Sequence, residues 1–211
     1  MTFKEVKFLI KTDLLRYRES HTAKSFLNEY IRGAGFKYIF WWRIKKYLDS
    51  KSIAFFLLKL CAKYRLRYWS FKLGIDISLN AEIGPGFKIE HFGCIFINSQ
   101  SRIGMRCSVL QGVTLGNSSG GAPILNNFVF MGPGSKAIGP VRIGDNAIIG
   151  ANAVVTKDIP ENAVVVGIPG EIISHKGSIR EDYKKVVEEH IEVYQKLCPQ
   201  KLWEKYNLIK S

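Results

Sequence analysis

The sequence predicts a mainly β fold: a parallel β-helix over residues 74–172, preceded by an α-helical region over 1–73 and followed by a helical tail over 173–211. Three observations predict it. Aliphatic residues recur every six positions through the middle of the chain. Apolar residues recur at three- and four-residue steps before it. The same helical spacing returns over 179–198, with Val186, Val187, His190, Ile191 and Tyr194, before Pro199.

The N-terminal part places Val6, Ile10, Leu14 and Tyr17 on one helical face, and later Phe55, Leu58 and Cys61. It has no proline, and Gly33-Ala34-Gly35 is a break between helices. It is also basic and aromatic, with Tyr38-Ile39-Phe40-Trp41-Trp42-Arg43, Phe55-Phe56 and Tyr64-Arg65-Leu66-Arg67-Tyr68-Trp69. Residues 1–75 carry 12 of the chain's 13 net positive charges. A basic aromatic surface over 36–72 suits peripheral contact with anionic lipid or an acidic polymer, and equally the solvated face of a helical layer. No nucleic-acid-binding motif accompanies it, so no nucleic acid partner is expected.

From Ile77 the pattern changes. Ile77, Ile83 and Ile89 are six apart. The step resumes at Ile97, Ile103, Val109 and Leu115, then at Leu125, Met131, Ala137, Ile143, Ile149 and Val155. Six matches neither strand alternation nor a helical turn, but it is the period of a β-helix in which each unit is one short strand and one corner. Small residues follow many anchors, as in Ile83-Gly84, Ile103-Gly104 and Ile143-Gly144, where the chain must turn. Two breaks interrupt the repeat. The step from Ile89 to Ile97 holds two extra residues near Glu90-His91-Phe92-Gly93. The step from Leu115 to Leu125 holds the loop Gly116-Asn117-Ser118-Ser119-Gly120-Gly121-Ala122-Pro123. Insertions in a regular solenoid map to surface loops and often build its site.

Lys4, Glu5, Lys7 and Lys11 interrupt any secretory signal, and the longest apolar run, residues 53–58, is too short to cross a bilayer, so a cytoplasmic setting is expected. Cys61, Cys94, Cys107 and Cys198 are irregularly spaced, which fits reduced thiols and no metal site.

His91 is the leading chemical candidate, because it lies at a break in the repeat and imidazole takes a proton near neutral pH. His21, His175 and His190 lie in helical or exit segments. Asp76 is fifteen residues before His91, close to the eighteen of one coil, so stacking brings the two within reach and a carboxylate would orient the base. Glu90 is the adjacent alternative. The glycine loop offers backbone N–H groups to a ligand, but it does not fit a phosphate-loop or dinucleotide pattern.

Residues 74–172 resemble the serine acetyltransferase branch of the hexapeptide-repeat acyltransferases. The segments that carry the likeness are Gly74-Ile75-Asp76-Ile77, Glu90-His91-Phe92-Gly93, Leu110-Gln111-Gly112-Val113-Thr114-Leu115-Gly116, Ile149-Gly150-Ala151-Asn152-Ala153 and Val166-Gly167-Ile168-Pro169-Gly170. The resemblance implies a left-handed helix, a homotrimer, and acetyl-CoA as co-substrate in a groove between neighbouring subunits. It implies His91 as general base and Asp76 as its partner. Glu90 and Gln111 match the acceptor site. Gly116, Asn117, Gly134, Ser135, Ala151 and Lys157 match the coenzyme groove. Two departures stand out. An Arg-His-Pro run that helps hold the amino acid in the serine enzymes reads Gly121-Ala122-Pro123 here, and the helical N-terminal region is shorter and basic. These features resemble acetyltransferases of capsule and O-antigen synthesis. The expectation is therefore O-acetylation of a sugar hydroxyl on a saccharide or lipid-linked saccharide. A serine O-acetyltransferase and a non-catalytic β-helix scaffold are the alternatives.

Overall fold

A computed structural model describes residues 1–18, 21–177, 188, 191–196 and 198. Its β part is a parallel β-helix of three sheets. Sheet A stacks β1 (Ile75–Ile77), β4 (Ile95–Ile97), β7 (Thr114–Gly116), β10 (Lys136–Ile138) and β13 (Val154–Val155). Sheet B stacks β2 (Glu82–Ile83), β5 (Arg102–Ile103), β8 (Ile124–Leu125) and β11 (Arg142–Ile143). Sheet C stacks β3 (Lys88–Ile89), β6 (Ser108–Val109), β9 (Phe130–Met131), β12 (Ile148–Ile149) and β14 (Val164–Val166). There β15 (Glu171–Ser174) closes the sheet antiparallel to β14.

The chain visits A, B and C in turn, so each coil lays its three strands on those of the coil before. Every repeat anchor from Ile77 to Val155 is at most 4% exposed. The interior is therefore a column of aliphatic side chains, each strand adding one, and burial of these groups is the main favourable term. The regular register is eighteen residues, with Phe96 opposite Thr114 and Lys136 opposite Val154. The two insertions lengthen it. Asp76 lies opposite Phe96, and Arg102 opposite Ile124.

Among the described residues four α-helices precede the coils: α1 (Phe3–Leu15), α2 (Ala23–Arg32), α3 (Ala34–Asp49) and α4 (Phe56–Leu73). Thr2 starts α1 with a capping box, accepting from Glu5 N while Glu5 accepts from Thr2 N. Gly33 ends α2 and opens α3, at the predicted break. Gly74 caps α4 in the left-handed region, φ 61°, and turns the chain directly into β1.

These helices close the open end of the solenoid. The first coil has no coil beneath it, so its strand edges lack partners. Tyr38 Oη accepts from Ile77 N (3.1 Å) and Trp42 Nε1 donates to Ile77 O (3.2 Å) on β1. Arg43 donates to Ile83 O (2.6 Å) and Gly84 O (2.7 Å) at β2, and Lys46 donates to Ala81 O just before it. Tyr17 Oη both accepts from Ile89 N (2.9 Å) and donates to Ile89 O (3.2 Å) on β3, and Asp13 accepts from Phe87 N (2.9 Å). Tyr38, Trp42 and Arg43 are at most 2% exposed. This corrects part of the expected basic aromatic surface: Tyr38, Trp42 and Arg43 supply an internal cap, and α4 carries exposed basic and aromatic residues.

Of the predicted C-terminal helix, residues 191–196 are helical, and Tyr194 is buried with its hydroxyl donating to Thr12 O (3.0 Å). Val186, Val187, His190 and Pro199 lie outside the described residues. Among the described residues no helix is long and apolar enough to cross a membrane.

Candidate functional site

The first insertion forms the corner that carries the chain from β3 to β4. It holds five residues, 90–94, with Gly93 at φ 117° and Cys94 at φ 51°. His91 lies on this corner and is exposed. Glu90 accepts a salt bridge from Lys88 at 2.7 Å.

The corners above are stacked on this one through the backbone. Gly112 N donates to Gly93 O (2.7 Å), Gly134 N to Gln111 O (2.8 Å) and Asn152 N to Pro133 O (2.8 Å). One edge of the prism therefore carries Glu90, His91, Gln111, Gly134 and Ala151 in a column. The edge is tight because its corners use positive φ: Gly112 at 74°, Gly134 at 70° and Asn152 at 57°. Ser135 follows in this column but faces inward. It is buried, and its Oγ donates to Gly132 O at 2.7 Å.

Gly116, Asn117 and Lys157 lie at the other margin of sheet A, where the chain leaves for sheet B. A three-residue strand separates the two margins by about 10 Å. The glycine loop is pinned. Ser118 and Gly121 exchange backbone hydrogen bonds of 2.9 and 3.1 Å, and Asn117 accepts from Asn98 Nδ2 at 3.1 Å. Lys157 is exposed, with no hydrogen-bond or ion-pair partner among the described residues.

Asp76 is on the outer face of β1, exposed, and opposite Phe96. The two added corner residues move the register past the eighteen-residue coil, and within one chain Asp76 and His91 share no hydrogen bond among the described residues. Asp76 lines a groove of about 720 Å³ between α4 and the start of sheet A, with Lys63, Arg67, Cys94 and Phe96 around it. Lys63 and Arg67 are four apart on α4; Arg67 belongs to the basic aromatic stretch of the sequence, and Lys63 was not singled out there. Their signal is a basic pair at helical spacing just before the first strand. His21 and His175 are exposed, and His190 is outside the described residues. Among the described residues no cluster of three His, Cys, Asp or Glu side chains is placed to hold a metal ion.

Residues 123–157 match the family model described as bacterial transferase hexapeptide (six repeats). A serine acetyltransferase of Mycobacterium tuberculosis is 39% identical over 119 residues, 54% of this chain and 52% of that enzyme. The chain thus spans about half the length of this relative. A serine acetyltransferase of Bacillus licheniformis is 31% identical over 180 residues, 82% of this chain and 81% of that enzyme. Among solved structures, Brucella abortus serine acetyltransferase in complex with coenzyme A superposes with a TM-score of 0.67 at 27% identity, covering 83% of this chain and 70% of that one. The Neisseria gonorrhoeae enzyme in complex with serine gives 0.64 at 30% identity, covering 79% and 68%.

These relatives overturn the expected saccharide acceptor. A shorter helical N-terminal region was part of its basis, yet the Bacillus licheniformis serine enzyme aligns over four-fifths of its own length and of this chain. A short N-terminal region therefore does not mark a saccharide enzyme. With the fold, the stacked corner edge and these matches together, the chain belongs to the serine acetyltransferase family of hexapeptide-repeat transferases.

Proposed function

We propose that this chain is an acetyl-CoA-dependent serine O-acetyltransferase. The observation that carries the proposal is the 31% identity to a serine acetyltransferase across 81% of that enzyme. Neighbours solved with coenzyme A and with serine support the same pair of substrates.

In this reading His91 accepts the proton of the serine hydroxyl as that oxygen attacks the thioester carbonyl. Backbone N–H groups of the corner edge stabilise the tetrahedral oxyanion. The intermediate collapses, the C–S bond breaks, and the thiolate leaves and takes the proton from His91. Asp76 orients the imidazole and stabilises its charge. Glu90 and Gln111 bind the acceptor. Gly116, Asn117, Gly134, Ser135, Ala151 and Lys157 contact the coenzyme, Ser135 through its surroundings rather than its inward hydroxyl.

The working unit is a homotrimer. Its support is the division of the site: the His91 edge and the Asn117–Lys157 margin lie at opposite ends of the sheet A strands, so a neighbouring copy can join one to the other. The setting is cytoplasmic, in keeping with four free cysteines.

Thiol release from acetyl-CoA, measured with and without L-serine, tests the proposal. Serine-dependent release with O-acetylserine as product is expected. Release that ignores serine overturns it. Sedimentation equilibrium tests the trimer.

A further inference from the structure

Helix α4 is 18 residues long and contains no Asp or Glu. One side is docked through Ala62, Leu66 and Leu73. On the opposite side Leu57, Tyr64 and Phe71 follow at seven-residue steps, two turns apart, so they form a single row. They are 77%, 63% and 75% exposed. Tyr68 stands beside them at 51%, and Ile53 at 78% and Phe56 at 54% extend the surface at the N-terminal end. Folded chains rarely leave a continuous apolar surface of this kind uncovered.

The row has cations on both flanks. Lys63 and Arg67 lie along one side, toward the groove beside Asp76, and Arg65 and Lys72 along the other. An outward apolar row between two basic rows, with aromatic residues among it, is the pattern of a helix lying in a membrane interface. A second copy of the same face is a poorer partner, because a two-fold pairing would set acid-free basic rows against each other.

We infer that α4 rests on an anionic lipid surface, its Leu57–Tyr64–Phe71 row among the acyl-chain ends and its Lys and Arg flanks at the headgroups. The inference is independent of the acceptor in the acetyl-transfer reaction.

The test is co-sedimentation of the full chain with vesicles of phosphatidylcholine, with and without phosphatidylglycerol. Binding is expected only with phosphatidylglycerol, and it weakens as salt is raised. Arg65→Glu with Lys72→Glu lowers binding at least about tenfold. Leu57→Glu with Tyr64→Glu removes it, while Arg65→Lys retains it. Unchanged thermal melting of each variant separates a lost surface from a lost fold. Absence of binding to either vesicle, or equal binding to both, overturns the inference. So does a larger assembly in light scattering that Leu57→Glu with Tyr64→Glu dissolves, since a second copy would then occupy the face.

Discussion

The Arg43 guanidinium lies against the Asp13 carboxyl, Nε to Oδ2 3.0 Å, with both side chains almost wholly excluded from solvent. Burial pushes the Asp13 carboxyl up from its ordinary range, and Arg43 and the Phe87 and Gly86 amides act against that shift. Removing either partner leaves a buried charge or donor without an answer. Arg43→Met is expected to cost about 3–5 kcal/mol in urea unfolding. Asp13→Leu added to it does not restore stability, because the carbonyls of Ile83 and Gly84 remain unpaired at about 1–3 kcal/mol each. Full recovery in the double variant would show that the pair serves no strand edge.

His91→Ala is expected to slow serine-dependent thiol release at least about a hundredfold. Because His91 is exposed, its melting temperature stays where it is. A variant that keeps its rate removes His91 from the mechanism.

Gly112 holds φ 74°, and a Cβ there would stand 3.1 Å from Gly134 Cα on the next corner. Gly112→Ala combines the left-handed penalty with that contact and is expected to cost about 1–3 kcal/mol. Chemical denaturation reads the loss. Weaker acetyl-CoA binding is expected with it, since the strain falls on the stacked edge.

Burial pushes the Cys107 thiol up to about 12 from an ordinary 9.0. Cys61 and Cys94 are exposed. Iodoacetamide at mildly alkaline pH should therefore label Cys61 and Cys94 quickly and reach Cys107 only on unfolding. The unfolded thiol loses its proton near 9 while the folded one keeps it to about 12, so the unfolded state binds fewer protons in that interval. The Cys107 contribution to stability is complete below pH 9 and falls between about 9 and 12. Cys107→Ala flattens this part of the stability profile.

The β-helix was legible because a residue in a stacked aliphatic column must be apolar, and its neighbours must turn. That demand leaves a mark at every sixth position, and each anchor from Ile77 to Val155 is buried. The two breaks were legible for the same reason, and both corners bear the loops expected of them. The role of Tyr38, Trp42 and Arg43 was not legible. An aromatic and basic stretch has the same composition whether it meets lipid or the bare end of a solenoid, and strand edges carry no sequence mark. The length of the first coil was not legible in full: two added corner residues set Asp76 opposite Phe96, twenty residues on rather than eighteen. The residues proposed for the coenzyme came only through likeness, since a groove that binds through backbone atoms would leave side-chain identity little constrained. The acceptor was misread for a related reason: an absent Arg-His run says which contacts are missing, not which molecule fills the place.

The cap over the first coil also governs how copies can grow. An uncovered solenoid end is a template on which another chain can lay a strand, and repeated addition makes a fibre. Here Tyr17, Tyr38, Trp42 and Arg43 already occupy those edge groups. End-to-end polymerisation is blocked at that pole, so any growth from one copy to the next must find another surface than the strand edges of the first coil.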